Sequence, residues 1–263
     1  MSRRMDLSSL VLGSLAALAV ALLVLPLVGL LLRAPWASAT ELLQTPQVRA
    51  ALRLSLVTSV SALAVCTLLG VPLAWLLARV DFAGKALLRA LCVLPMVLPP
   101  VVGGVALLLA FGRRGVVGAP LNALTGLSLP FSTAGVVLAE AFVAMPFLVV
   151  VVEAGLRGMD RRFEQAAATL GAGRWLIFRR VTLPLLAPSL AAGMALSWAR
   201  AFGEFGATIT FAGNLQGRTQ TMPLAVYLAL EGDLEVAILL SLVLLVVSVG
   251  VLAALRQRFL GVA

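Results

Sequence analysis

The chain has 263 residues, of which 62% are hydrophobic and only 12% carry charge, about half the charged share of an ordinary soluble domain. That balance argues against a water-soluble fold, and apolar runs that are continuous rather than alternating argue against a transmembrane β-barrel. The net charge of +9 falls in the short connections between those runs, a pattern of membrane orientation rather than of nucleic-acid binding.

A helix crosses a bilayer with roughly 20 apolar residues. Six spans are predicted, about 7–32, 50–78, 90–111, 131–153, 187–211 and 234–256. The fold class is an all-α integral membrane protein, one transmembrane domain over 1–263. The opening, MSRRMDLSSLVLG, has the basic start of a signal peptide. The run from Leu7 to Leu32 is too long for a typical signal core and lacks a clear cleavage site, so it reads as a retained first span. The second run is long for one span. Its start, VRAALRLSLVTS, is amphipathic and reads as a segment lying on the outer surface before the chain enters the membrane. Span three holds Pro95, Pro99 and Pro100, and span four holds Pro146. Such breaks are either kinks in packing or marks of a helix that lines a pathway and moves. Cys66 and Cys92 have no metal spacing and read as small buried hydrophobes.

Basic residues set the orientation. Thirteen fall in the segments placed inside, among them Arg3, Arg4, Arg256 and Arg258, and six fall outside. The bias predicts a multi-pass protein of the cytoplasmic membrane with both termini in the cytoplasm. It also places the longest polar connection, 154–186, inside. That loop is too short for a core of its own, yet it is patterned. Asp160 is a helix N-cap, and Phe163, Ala166, Ala167 and Leu170 follow on one face. Gly171 suits a left-handed C-cap. A second short helix starts near Gly173 with Trp175, Phe178 and Val181 along one side, and Pro184 ends or bends it. Two helices this short need a partner surface, either their own spans or a separate cytoplasmic protein.

The loop reads Gln165-Ala166-Ala167, three residues, Gly171, nine residues, then Val181-Thr182-Leu183-Pro184. This resembles the E-A-A signature of ABC importer permeases, with Gln165 preceded by Glu164 at the acidic position and Val181 where isoleucine is usual. Three stretches, LPMVLPPVVGGVALLLAFGRRG (94–115), EQAAATLGAGRW (164–175) and ARAFGEFGATITFAGNLQGRTQTMPLAVY (199–227), together look like the molybdate permeases of that class. Sulfate/thiosulfate permeases are close relatives and form the alternative. The resemblance implies a type I importer permease fold, and a loop that docks in a cleft of an ATP-binding subunit. Glu164, Gln165, Ala166, Ala167, Gly171, Arg174, Leu183 and Pro184 would couple the two, with Arg179 and Arg180 at the rim or on lipid. It implies two copies of the ATPase, a second copy of this chain, an extracytoplasmic oxyanion-binding protein and membrane lipid as partners. ATP and Mg would reside on the partner subunit, with no metal or cofactor on this chain.

Within the spans, Arg200 and Glu204 lie four residues apart and share a helix face. They are either a structural ion pair or an anion gate in the outer half. Gly203 and Gly206 allow close helix approach, and Thr208 and Thr210 can offer hydroxyls to a tetrahedral dianion. Arg113, Arg114 and Arg218, with Asn214 and Gln216, lie in outer loops. They are either solvated or in contact with the binding protein. No G-x-x-x-x-G-K-[ST] stretch is present. Glu140 and Glu153 have no partner of matching spacing, so the chain is not read as an enzyme. A secondary anion transporter needs a coupling-ion site near mid-membrane, and intramembrane carboxylates are sparse.

Overall fold

The computed structural model describes residues 7–259. Arg3 and Arg4, counted among the inner cations, lie outside it. The side chains of residues 7–10, 252 and 254–259 are likewise outside the described set, Arg256 and Arg258 among them. The described elements are helical: α1 (Leu7–Leu32), α2 (Ala39–Gln44), α3 (Pro46–Arg79), α4 (Lys85–Val97), α5 (Pro100–Phe111), α6 (Gly118–Thr125) and α7 (Thr133–Gly158). After them come α8 (Arg162–Thr169), α9 (Arg174–Ile177), a π turn (Phe178–Thr182), α10 (Leu183–Phe202), α11 (Gly206–Ala212), α12 (Met222–Gly232) and α13 (Leu234–Phe259). Helices are the form expected in lipid, because each satisfies its backbone groups internally.

Five helices are long and apolar enough to cross a membrane, and the pair α4–α5 makes a sixth span if counted as one. α7 is the centre of the bundle. It packs on α3, α10, α11 and α4, and Leu148, Val149, Val152 and Leu156 meet Ala62, Cys66, Ala74 and Leu77 of α3 in the main core. Small residues make the crossings tight. A side chain at Gly70 would meet Leu148 at 3.1 Å, and one at Gly193 would meet the same leucine at 3.3 Å. Association in lipid depends on such van der Waals fit, since no hydrophobic gain separates helix from tail. A second cluster joins Leu107 of α5, Ala139 and Val143 of α7, and Ala207 and Phe211 of α11. A third joins Val48 and Ala51 of α3 to Met222 of α12 and Leu240 of α13. By contrast α1 is exposed along Val11–Leu32, with α13 its main neighbour.

Four expectations are corrected. The amphipathic start of the second span does not lie along a surface; it is the first part of one unbroken 34-residue helix, about 51 Å long. Val48, Ala51 and Ser55 bury one face of it against α12 and α13, so the polar–apolar pattern is a packing face. Span three is not straight. α4 and α5 meet at 120°, because Leu98 and Pro99 are extended (ψ 136° and 132°) and Pro99 and Pro100 both lack a backbone donor. Span five ends at Phe202 and resumes as α11 after Gly203-Glu204-Phe205. The connection after it, between α11 and α13, contains a further helix, α12, which packs on α13 and α3.

Candidate functional site

The polar connection folds largely as its pattern predicts, with the cap displaced by one residue. Arg161, not Asp160, is the N-cap of α8, and the Asp160 carboxylate accepts from the Arg162 amide at 2.9 Å from just outside the helix. Gly171 is left-handed at φ +82°. The Ala172 amide donates to Ala167 O and the Gly171 amide to Ala168 O, the paired bonds of a Schellman end. α9 starts at Arg174, and Trp175 stacks on Phe178 with centroids 5.7 Å apart. Pro184 does not end the helix. Arg174–Phe202 runs as one 29-residue span. The ladder shifts to i→i−5 just ahead of the proline, where the Leu183 amide donates to Phe178 O. Pro184 therefore sits in the first turn of α10, where a missing donor costs little.

The outward side of α8 is apolar and uncovered. Phe163 is 58% exposed and Leu170 88%, Gln165 and Ala166 are exposed and Ala167 half-buried. Glu164 faces the other way. Its Oε1 accepts from Thr182 Oγ1 at 2.7 Å and pairs with Arg79 Nη2 at 3.4 Å. One carboxylate thus ties α8 to the end of α3 and to the π turn, so Glu164 is an internal clamp rather than a rim residue. A second cluster lies close by. Glu153 on α7 pairs with Arg89 of α4 at 2.7 Å and Arg157 at 2.9 Å, and both arginines also donate to Leu77 O of α3. The expectation that Glu153 has no partner of matching spacing is corrected: Arg157 lies four residues on along α7, while Arg89, 64 residues away, carried no sequence signal.

At the break after α10, Arg200 and Glu204 form the expected ion pair. They do not share one helix, because Glu204 lies beyond the cap at Gly203. The Glu204 carboxylate is 1% exposed and also accepts from the Ala207 amide at 2.7 Å, closing the first turn of α11. Gly206 is the close-approach glycine: a side chain there would meet Pro100 of α5 at 2.7 Å. Gly203 faces only its own helix at 3.5 Å. Thr208 is fully buried with no partner for its hydroxyl among the described residues. Thr210 donates to Gly206 O, and its Cβ lies 2.6 Å from where a Gly104 side chain would stand. The same interior holds Glu140, whose Oε1 accepts from Thr58 Oγ1 of α3 at 2.8 Å while Oε2 has no partner among the described residues. Sequence spacing did not reveal that contact.

The three remaining candidate arginines gather at the start of α7, about 39 Å along that helix from the 154–186 loop. Arg113 Nε donates to Ser128 Oγ at 3.1 Å. Arg113 and Arg114 are exposed and line a cleft of about 440 Å³ with Pro130 and Phe131. Phe131 is held at φ +57°, a conformation few side chains adopt. Arg218 enters from the other loop, its carbonyl accepting from Thr133 Oγ1 at 2.9 Å. Asn214 Oδ1 is buried without a partner among the described residues, and Gln216, two residues on, is exposed.

The chain matches the family described as binding-protein-dependent transport system inner membrane component over residues 70–261. It belongs to that family. It is 47% identical over 234 residues to the molybdenum transport system permease protein ModB of Mycobacterium tuberculosis, covering 89% of this chain and 88% of the relative. The ModB protein of Escherichia coli is 49% identical over 174 residues, 65% of this chain and 76% of the relative. The sulfate transport system permease protein CysT of the same organism is 37% identical over 245 residues, 90% and 88%. Among solved structures, a bacterial ABC transporter that imports the acidic polysaccharide alginate superposes with a TM-score of 0.77. It covers 97% of this chain and 96% of that one at 18% identity, which speaks for the fold alone.

Proposed function

We propose that this chain is the membrane-spanning subunit of an ATP-driven importer for molybdate, with tungstate as a second cargo. The observation that carries the reading is the near full-length identity of 47% to a molybdenum permease, against 37% to a sulfate permease over a similar length. Two copies of the chain form the pathway, and two ATP-binding subunits seat the α8 face that Phe163, Ala166 and Leu170 leave uncovered. ATP and Mg stay on those subunits. An extracytoplasmic binding protein delivers the dianion at the end where Arg113, Arg114 and Arg218 gather. Both termini are cytoplasmic, in keeping with the excess of basic residues on the coupling-loop side.

The geometry supports a division of labour. Closure of the ATPase pair moves α8, and the Glu164–Thr182–Arg79 clamp carries that motion to α3 and α10 together. At the far end of α10, the Arg200–Glu204 break is the natural hinge of the pathway. Arg200 is the cation available to an oxyanion there, while Glu204, bonded to the Ala207 amide, holds the hinge in register. Binding at such a gate must be weak enough for the cargo to leave.

The deciding experiment is ATP hydrolysis by the complex reconstituted with its ATPase and binding protein. Molybdate stimulates it and sulfate does not. Equal stimulation by sulfate would move the chain to the sulfate/thiosulfate reading, which its more distant relatives represent.

A further inference from the structure

A groove of about 560 Å³ opens beside the 154–186 loop, behind the exposed Phe163 face of α8. Val71, Pro72 and Trp75 of α3 form one wall, Leu156 and Leu186 the floor, and Trp175 and Phe178 the other wall. Val71 lies about 12 Å along α3 from its end at Arg79. The groove therefore runs from the polar end of the spans roughly two turns into their apolar part. Its deep end is wholly apolar. Its mouth carries Arg174, Glu164 and Thr182.

The charge at the mouth is not balanced. Glu164 is committed to Arg79 and Thr182. Arg174 is exposed and makes no ion pair among the described residues, and the same holds for Arg179 and Arg180 on the adjoining π turn. Two tryptophans flank the opening, Trp75 at 47% exposure and Trp175 at 72%, the residue type that favours the boundary between headgroups and tails. Phe163 and Glu164 stand about 100° apart on α8. A protein seated on the Phe163 face thus leaves uncovered the groove on the Glu164 side, where that carboxylate meets Arg79 and Thr182.

We propose that this groove binds an anionic phospholipid. One acyl chain lies against Val71, Trp75, Leu156 and Leu186, and the phosphate rests on the Arg174 guanidinium. A planar guanidinium matches two phosphate oxygens at once, which an ammonium does not. A free anion would gain nothing from the apolar floor, and a zwitterionic lipid, which has the same phosphate, also brings a cationic headgroup that the unpaired arginines Arg174, Arg179 and Arg180 repel. Only a molecule with both parts satisfies the groove. The site concerns lipid and stands whatever oxyanion the transporter carries.

The test uses the full-length chain, purified in its native assembly and placed in nanodiscs. Trp36, Trp75 and Trp198 are replaced by phenylalanine, leaving Trp175 as this chain's sole tryptophan, and the signal of a Trp175→Phe assembly is subtracted as the contribution of the other subunits. Brominated phosphatidylglycerol quenches it about fivefold more strongly than brominated phosphatidylcholine at equal mole fraction, the preference expected for one basic residue at an anionic headgroup. In Arg174→Gln that preference falls to parity while quenching itself persists. Equal quenching by both lipids in the parent, or an unchanged preference in Arg174→Gln, overturns the proposal. Absence of quenching by either lipid also overturns it, since the groove is then filled by protein. Native mass spectrometry of the unmutated complex gives an independent reading. Retained phosphatidylglycerol, lost in Arg174→Gln, supports the site; retention of phosphatidylcholine alone refutes it.

Discussion

Arg200 reaches forward four positions to Glu204, and the Glu204 carboxylate reaches forward three more to the Ala207 amide. Removing the arginine leaves a carboxylate that is 1% exposed without its counter-charge, a loss of the order of 3–5 kcal/mol for a buried pair. Arg200→Gln therefore lowers the thermal stability of the detergent-solubilised chain. Glu204→Gln added to it restores much of that loss, because an amide oxygen still accepts from Ala207. Transport stays impaired in the double variant if the arginine meets the anion, and recovers if the pair is only structural. Gly171 is a second single-residue control. There is open space around it but its φ is +82°, so the penalty for a side chain is backbone strain of about 1–2 kcal/mol. Gly171→Val lowers uptake per ATP hydrolysed several-fold while the protein still inserts. Gly171→Asn, which tolerates the left-handed region, is close to normal. Equal behaviour of the two variants would show that the turn does not direct the loop.

Among the elements, the joint between α8, α3 and the π turn rests on one carboxylate. Glu164→Gln removes a charge-assisted pair at a partly buried site, worth about 1–2 kcal/mol. The expected result is ATP hydrolysis that continues while uptake drops, and Thr182→Val reproduces part of it; uptake and hydrolysis falling in parallel would point to misfolding instead. The elements differ in how far the sequence announces them. α8 and its end at Gly171 were legible because cap, face and turn residue all agree locally. The outer ends of the bundle were legible in the long apolar runs of α1 and α13. The α4–α5 bend was half legible: Pro99-Pro100 marks a break, but an angle of 120° depends on what α11 and α7 leave room for. The break after α10 was not legible, because Arg200 and Glu204 satisfy a helical spacing as well as a helix end. α12 was missed although Pro223 stands in its first turn, a start signal outweighed by its short apolar length. The partners of Glu140 and Glu164 lie 82 and 85 residues away on α3, beyond any local pattern.

Across the whole molecule, charge divides the two ends. The loop side carries the clamped Arg79, Arg89 and Arg157 together with the exposed Arg174, Arg179 and Arg180, and the far side carries Arg113, Arg114 and Arg218 on exposed loops. Contacts of that kind steer encounter more than they hold a complex. Arg113→Gln with Arg114→Gln raises the concentration of binding protein needed for half-maximal ATPase stimulation and flattens its dependence on salt, with basal hydrolysis unchanged. Identical salt curves for variant and parent would assign these arginines to solvent. One feature links the two ends. The π turn at Phe178–Thr182 places one residue more between loop and span than a plain α-helix would need. Each residue of helix turns the chain by about 100°. Deleting one residue there would leave every span, every motif side chain and the hydropathy intact. It would still swing α8 about a quarter-turn around the axis of α10, away from Arg79 and toward a different neighbour. The nine-residue interval between Gly171 and Val181 is thus an angular setting, and a chain that keeps the letters but loses the count is expected to insert normally and never engage its motor.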